Sequence, residues 1–108
     1  LISIAIMQKN FNKQEFFWSE TYAEEYAKKN KNFDKKLILE GWSTILRKIK
    51  TKPTKILECG ANIGRNIDAL KDIYPETKFT AIEISSGACT KLINKFPNLE
   101  VINTSILE

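Results

Sequence analysis

The stretch Glu58-Cys59-Gly60-Ala61-Asn62-Ile63-Gly64 places a carboxylate two residues before one glycine, with a second glycine four residues further on. A glycine has no Cβ, so the chain can turn tightly at Gly60 and a ligand can approach the backbone closely. A helix opening near Gly64 would direct its free N–H groups to the same place. A second carboxylate, Glu83, follows Gly60 by 23 residues, at the end of another apolar run. A carboxylate at that point can accept hydrogen bonds from both hydroxyls of a ribose, and Ile84 beside it can stack on adenine. The spacing departs from the dinucleotide pattern G-x-G-x-x-G. Counted from Gly60, the second and third glycines would fall at Asn62 and Arg65, so the loop lacks the small residues that seat a pyrophosphate.

Other chemistries have little to work with. The chain has no histidine, the commonest general base and a common transition-metal ligand. Its two cysteines, Cys59 and Cys89, are 30 residues apart and make neither a zinc pattern nor a disulfide framework. Both fall in segments that read as buried or half-buried. They are expected to be reduced core residues of a cytoplasmic protein.

Hydrophobic periodicity supplies the elements that would hold Glu58 and Glu83. Residues 15–30 read as a helix. Thr21 and Glu24 have capping-box spacing, and Trp18, Tyr22 and Tyr26 form an aromatic stripe. Asp34 can cap a second helix whose face carries Ile38, Trp42, Ile45, Leu46 and Ile49. The pattern then changes. Residues 55–60 read as a short buried strand, 64–74 as a helix stopped by Pro75, and 79–84 as a second strand. Residues 86–96 read as a second amphipathic helix stopped by Pro97, and 99–102 as a third strand.

Strands alternating with helices of this length imply a parallel sheet with right-handed crossovers. The expected fold class is α/β: a Rossmann-like α/β/α arrangement with three parallel strands in the order 3-2-1, preceded by two helices. In such sheets ligands bind beyond the carboxyl ends of the strands. That rule points to Glu58–Gly64 and to Glu83–Ser85.

Composition is ordinary for a globular chain: 108 residues, 43% hydrophobic and 28% charged. The net charge of +4 is unevenly spread. Residues 1–55 carry 12 Lys/Arg against 6 Asp/Glu, and residues 56–108 carry 5 against 7. The basic half suggests nucleic acid as a partner, but its lysines are interspersed with glutamates and form no recognition motif, so solvated helix faces are the preferred reading. No apolar run approaches the roughly 18 residues needed to span a membrane. The opening Leu1-Ile2-Ser3-Ile4-Ala5-Ile6 precedes Met7, which reads as the start, with residues 1–6 an upstream extension; a short strand is the alternative.

The run acidic-x-Gly-x-x-x-Gly resembles motif I of S-adenosylmethionine (SAM) dependent methyltransferases of class I. Phe17-Trp18, Tyr22, Tyr26 and Asn30, together with Ile56-Leu57-Glu58-Cys59-Gly60-Ala61-Asn62-Ile63-Gly64-Arg65-Asn66, look like the methylases associated with pseudaminic acid biosynthesis. The resemblance covers residues 11–108; Cys59 and Lys29 depart from its usual residues. It implies SAM as cofactor. Glu58 would lie near the cation, Gly60, Ala61, Asn62 and Gly64 would line the methionine end, and Glu83 would hold the ribose. Ile84 would touch the adenine, Asn103 to Ile106, with Ser105, would lie near its amino group, and Trp18, Tyr22 or Tyr26 would close over the cofactor or simply pack.

The expected organisation is an N-terminal extension at 1–14, a helical segment at 15–52 and a partial SAM-binding domain at 53–108. The partner is then a small-molecule methyl acceptor, with no membrane. A class I sheet has seven strands, so the chain is expected to be part of a longer protein, with its first strand left as an edge and its stability marginal. A nicotinamide-dependent oxidoreductase and a non-enzymatic nucleic-acid module are the competing readings. No residue stands out as a catalytic base.

Overall fold

The computed structural model describes residues 13–22, 25, 28 and 34–107. The expectations for residues 1–6, the Thr21–Glu24 capping pair, Tyr26, Lys29 and Asn30 lie outside what it describes. Within the stretch read as the first helix, Glu25 and Lys28 are helical, and the N-terminal part is described in full. An α-helical turn, α1 (Lys13–Phe16), widens into a π-helical turn over Phe17–Thr21, closed by the Tyr22 N–H donating to the Phe17 carbonyl at 2.8 Å. The cause is visible in the aromatics: Phe17 stacks on Tyr22 at 4.9 Å while Trp18 meets both edge-on. One extra residue in the turn lets three large rings share one side.

Helix α2 (Lys35–Leu46) begins where expected, with the Asp34 carboxylate accepting the Lys36 N–H at 2.9 Å. Its apolar stripe is narrower than the sequence suggests. Trp42 and Leu46 pack against the core, whereas Ile45 and Ile49 are exposed. Among the described residues the helix packs chiefly on the helix Arg65–Ile73, and the residues on that side are the ones covered. Lys35 ties the two together, reaching Asp68 at 3.5 Å and Asp72 at 3.0 Å.

The rest follows the alternating pattern: β1 (Lys55–Cys59), α3 (Arg65–Ile73), β2 (Lys78–Glu83), α4 (Ser86–Lys95) and β3 (Glu100–Asn103). The strands are parallel in the order β1-β2-β3, with Cys59 opposite Ile82 and Ile82 opposite Ile102. Each helix end has a local cause. Ser85 caps α4 by accepting the Ala88 N–H, and Pro75 and Pro97 follow the last residues of α3 and α4.

The core lies on one face of this sheet. Ile67 and Leu70 of α3 and Leu92 and Phe96 of α4 meet Phe79 and Ala81 of β2, with Ile56 and Val101 at the flanks. Because both crossover helices cover the same face, the opposite face is open. Leu57 and Cys59 are therefore exposed, which corrects the sequence reading of β1 as a buried strand and of Cys59 as a core residue. Cys89, by contrast, is buried. Among the described residues no helix is long and apolar enough to cross a membrane.

Candidate functional site

The carboxyl ends of β1 and β2 open into a cavity of about 470 Å³. It is lined by the residues that follow these strands, by Thr104 to Leu107 after β3, and by Gln14, Glu15 and Trp18 from the N-terminal helix. A parallel sheet sends the loops after its strands out at the same edge, and the space they enclose lies beyond the carboxyl ends.

The glycine loop is folded by backbone conformations that few side chains tolerate. Gly60 has φ +74°, Asn62 φ +51° and Gly64 φ +83°. Asparagine is among the few other residues that accept this left-handed region. The loop is tied to β2 by Gly60 and Ala61, whose N–H groups both donate to the Ile82 carbonyl, at 2.8 and 3.1 Å.

Glu83 fastens it further. Only 6% exposed, its Oε1 accepts the Asn62 N–H at 2.8 Å and its Oε2 accepts the Ser85 N–H at 2.7 Å. Each oxygen keeps a second lone pair for a ligand hydroxyl. The carboxylate is thus both a clamp between two loops and an acceptor at the cavity wall.

Glu58 sits at the other side of the glycine loop. Its Oε1 accepts the Asn66 amide N–H at 2.9 Å. Its Oε2 is buried with no partner, as is the Asn62 Oδ1. Burial raises the Glu58 pKa above the ordinary carboxylate value; Asn66 opposes that rise and the charge of Glu83 adds to it. A buried acceptor of this kind suits a cationic group, which would supply the missing donor and favour the ionised carboxylate.

Of the residues singled out in the sequence, Glu58, Gly60, Ala61, Asn62, Glu83, Ile84 and Ser105 all line this one cavity. Gly64 does not. It lies buried behind the loop, where a Cβ would come within 2.7 Å of Leu92 Cδ2 and Phe96 Cε2. Its small size lets α3 start against α4. Asn103 is spent on fastening β3, donating to the carbonyls of Glu83 and Ile84 at 2.9 and 3.1 Å. The Ser105 hydroxyl accepts the Leu107 N–H at 3.1 Å. Trp18 lines the cavity, whereas Tyr22 lies behind it against Phe17 and Trp18. Sequence reasoning assigned no role to Arg65 or Asn66, which also line it. Their place at the start of the helix after the glycine loop was the available signal. Among the described residues no cluster of His, Cys, Asp and Glu could hold a metal ion.

Comparison with solved structures gives the fold a counterpart. The plantazolicin methyltransferase BpumL, in complex with SAH, superimposes with a TM-score of 0.65 at 22% identity, over 87% of this chain and 39% of that one. The same enzyme with SAH and a monoazolic desmethylPZN analog gives 0.66 at 22% identity, over 88% and 39%. The plantazolicin methyltransferase BamL, with a triazolic analog and SAH, gives 0.63 at 16% identity, over 85% and 37%. The fold is that of these methyltransferases. This chain spans well under half the length of each. No protein-family model and no curated protein matches the sequence.

The two cysteines offer a direct check on the site. Cys59 is exposed at the cavity wall, while Cys89 is buried with its thiol 3.4 Å from the Glu83 carbonyl. Burial, and secondarily the Glu83 charge, push the Cys89 thiol up to about 11. At mildly alkaline pH it holds very little of the reactive thiolate. In the folded chain a maleimide is expected to label Cys59 rapidly and leave Cys89 untouched, with both labelled in denaturant. Equal rates in the folded chain would contradict the packing of α4.

Proposed function

We propose that this chain is the cofactor-binding part of a SAM-dependent methyltransferase. The observation that carries this reading is the cavity at the strand ends, where the buried carboxylate of Glu83 and the half-buried one of Glu58 flank one glycine loop in a fold shared with SAH-bound methyltransferases. The residues present fit the cofactor. Glu58, with an unpaired buried oxygen, would take the ammonium of the methionine moiety. Gly60, Ala61 and Asn62 would line that moiety. Glu83 would hold the ribose hydroxyls with its remaining lone pairs, and Ile84 would lie along the adenine, with Ser105 near its amino group. Gly64 would act from behind, by letting the loop close.

SAM brings its own reactivity, a methyl group on a positively charged sulfur. The protein's part is then orientation and exclusion of water. Glu58 and Glu83, each anchored by hydrogen bonds to neighbouring residues, are suited to fixing the two ends of one extended ligand. Glu15 of α1 and Trp18 of the π-helical turn that follows it would bound the side from which an acceptor arrives.

The likeness of Phe17 to Asn66 to methylases of pseudaminic acid biosynthesis supports an acceptor that is a small, sugar-related molecule in a bacterial cytoplasm. It also supports the division into an extension at 1–14, a helical segment at 15–52 and a SAM-binding portion at 53–108, with further chain completing the acceptor pocket.

The test is calorimetric titration of SAH into the purified chain, with NAD in parallel. Saturable SAH binding, abolished in Gly60→Arg, is expected, because the new side chain would fill the space that Gly60 leaves open. Binding of NAD in preference to SAH would overturn the reading. A folded chain that binds neither, but binds nucleic acid with a steep salt dependence, would favour a non-enzymatic module.

A further inference from the structure

Helix α2 reaches the cavity through two side chains. The Trp42 indole N–H donates to Asn66 Oδ1 at 3.0 Å, and Asn66 Nδ2 donates to Glu58 Oε1 at 2.9 Å. The direction of this relay is fixed by chemistry. An indole nitrogen can only donate, so it holds the carbonyl end of the Asn66 amide toward α2. The NH₂ end is thereby turned to Glu58, and an NH₂ group can only donate. Glu58 must then accept, as an ionised carboxylate does with both oxygens.

The surroundings otherwise favour a protonated Glu58. The remaining titratable groups lining the cavity, among the described residues, are Glu15, Cys59, Arg65 and Glu83. Helix α2 adds no cation near Glu58: Lys35 is held by Asp68 and Asp72, and Lys36 is exposed. Burial and the Glu83 charge both raise the Glu58 pKa, and Asn66 is the group that lowers it. Without Trp42 the amide is free to turn over and offer its carbonyl to a protonated Glu58.

We propose that Asn66 and Trp42 are positioning residues that hold Glu58 ionised and oriented for the cationic group of the ligand, so that ligand binding and the seating of α2 on α3 are coupled. The identity of that ligand as SAM rests on the function proposed above; the relay itself does not. Neither residue needs to touch the ligand's reacting atoms. Their effect is on the charge state and direction of a carboxylate that does the binding.

The test uses the indole N–H resonances of the ¹⁵N-labelled chain, with Trp42 distinguished from Trp18 by Trp42→Phe. In ligand-free protein the Trp42 resonance is expected to shift as pH rises, with a midpoint above the ordinary carboxylate value of 4.5. That response should vanish in Glu58→Gln, which separates Glu58 from Glu15 and Glu83. Adding SAH should move the same resonance. Asn66→Leu should weaken SAH binding by about tenfold or more, the effect of losing one hydrogen bond to a charged group, and Trp42→Phe should make the affinity fall more steeply toward acid. A Trp42 resonance indifferent to pH and to Glu58→Gln would overturn the proposal, and so would wild-type SAH affinity in a folded Asn66→Leu. If the resonance follows Glu58 while SAH fails to bind even the wild type, the positioning role stands and the cofactor assignment falls. The wild-type resonance gives this answer even if Asn66→Leu does not fold.

Discussion

Replacing Gly64 by alanine should lower the stability of the chain by about 3 kcal/mol. Two costs add. At φ +83° an L-residue is strained by about 1–2 kcal/mol. The new Cβ would also sit 2.7 Å from Leu92 Cδ2 and Phe96 Cε2, and overpacking of a tight core costs about 1–3 kcal/mol. Gly60→Ala is the matched control. Its φ of +74° carries the same strain, but nothing lies within 4 Å of its Cβ, so it should lose only about 1–2 kcal/mol. Urea denaturation of the two variants measures the difference. Equal losses would mean that α3 and α4 are not packed as described.

Glu83→Ala should have the largest effect on binding. Removing the carboxylate strips the acceptors from the Asn62 and Ser85 N–H groups at once. Hydrogen bonds to a charged group contribute about 1.5–3 kcal/mol each, so a stability loss of about 3 kcal/mol is expected. The loops released are those that shape the cavity, and the ribose acceptors are lost with them. SAH affinity should fall by about a hundredfold or more, as for the loss of two such bonds. Glu83→Gln keeps one carbonyl acceptor but turns an NH₂ group toward one of the two N–H groups, and should lie between. Affinity unchanged in a folded Glu83→Ala would remove Glu83 from the ligand site and leave it as a loop clamp alone.

Glu58 differs from Glu83 in how it is satisfied. Glu83 has a backbone donor on each oxygen; Glu58 has one side-chain donor on one oxygen and a bare second oxygen. Because its folded pKa is raised, Glu58 contributes to stability where it is protonated and loses that contribution as pH rises through the raised value. A ligand cation would reverse this cost. Such tension in the free chain is common where a group is kept for binding.

The sequence by itself determined the order of strands and helices after residue 54, because apolar runs of strand length alternate there with 3.6-residue periodicity and end at Pro75 and Pro97. It also determined which residues gather at the strand ends, since a parallel sheet sends β1 and β2 out on the same side and carries Glu58 and Glu83 with them. It could not show which face of the sheet is covered. That follows from both crossover helices lying on one side, and it left Leu57 and Cys59 exposed. Nor could spacing separate the roles of Gly60 and Gly64, which share a backbone conformation but differ in what surrounds them. The Trp42–Asn66–Glu58 relay was equally out of reach. Its members stand 24 and 8 residues apart and belong to α2, the start of α3 and β1. Only the tertiary structure decides contacts of that kind, because hydrogen bonds between side chains depend on how the elements are placed in space, which local periodicity does not encode.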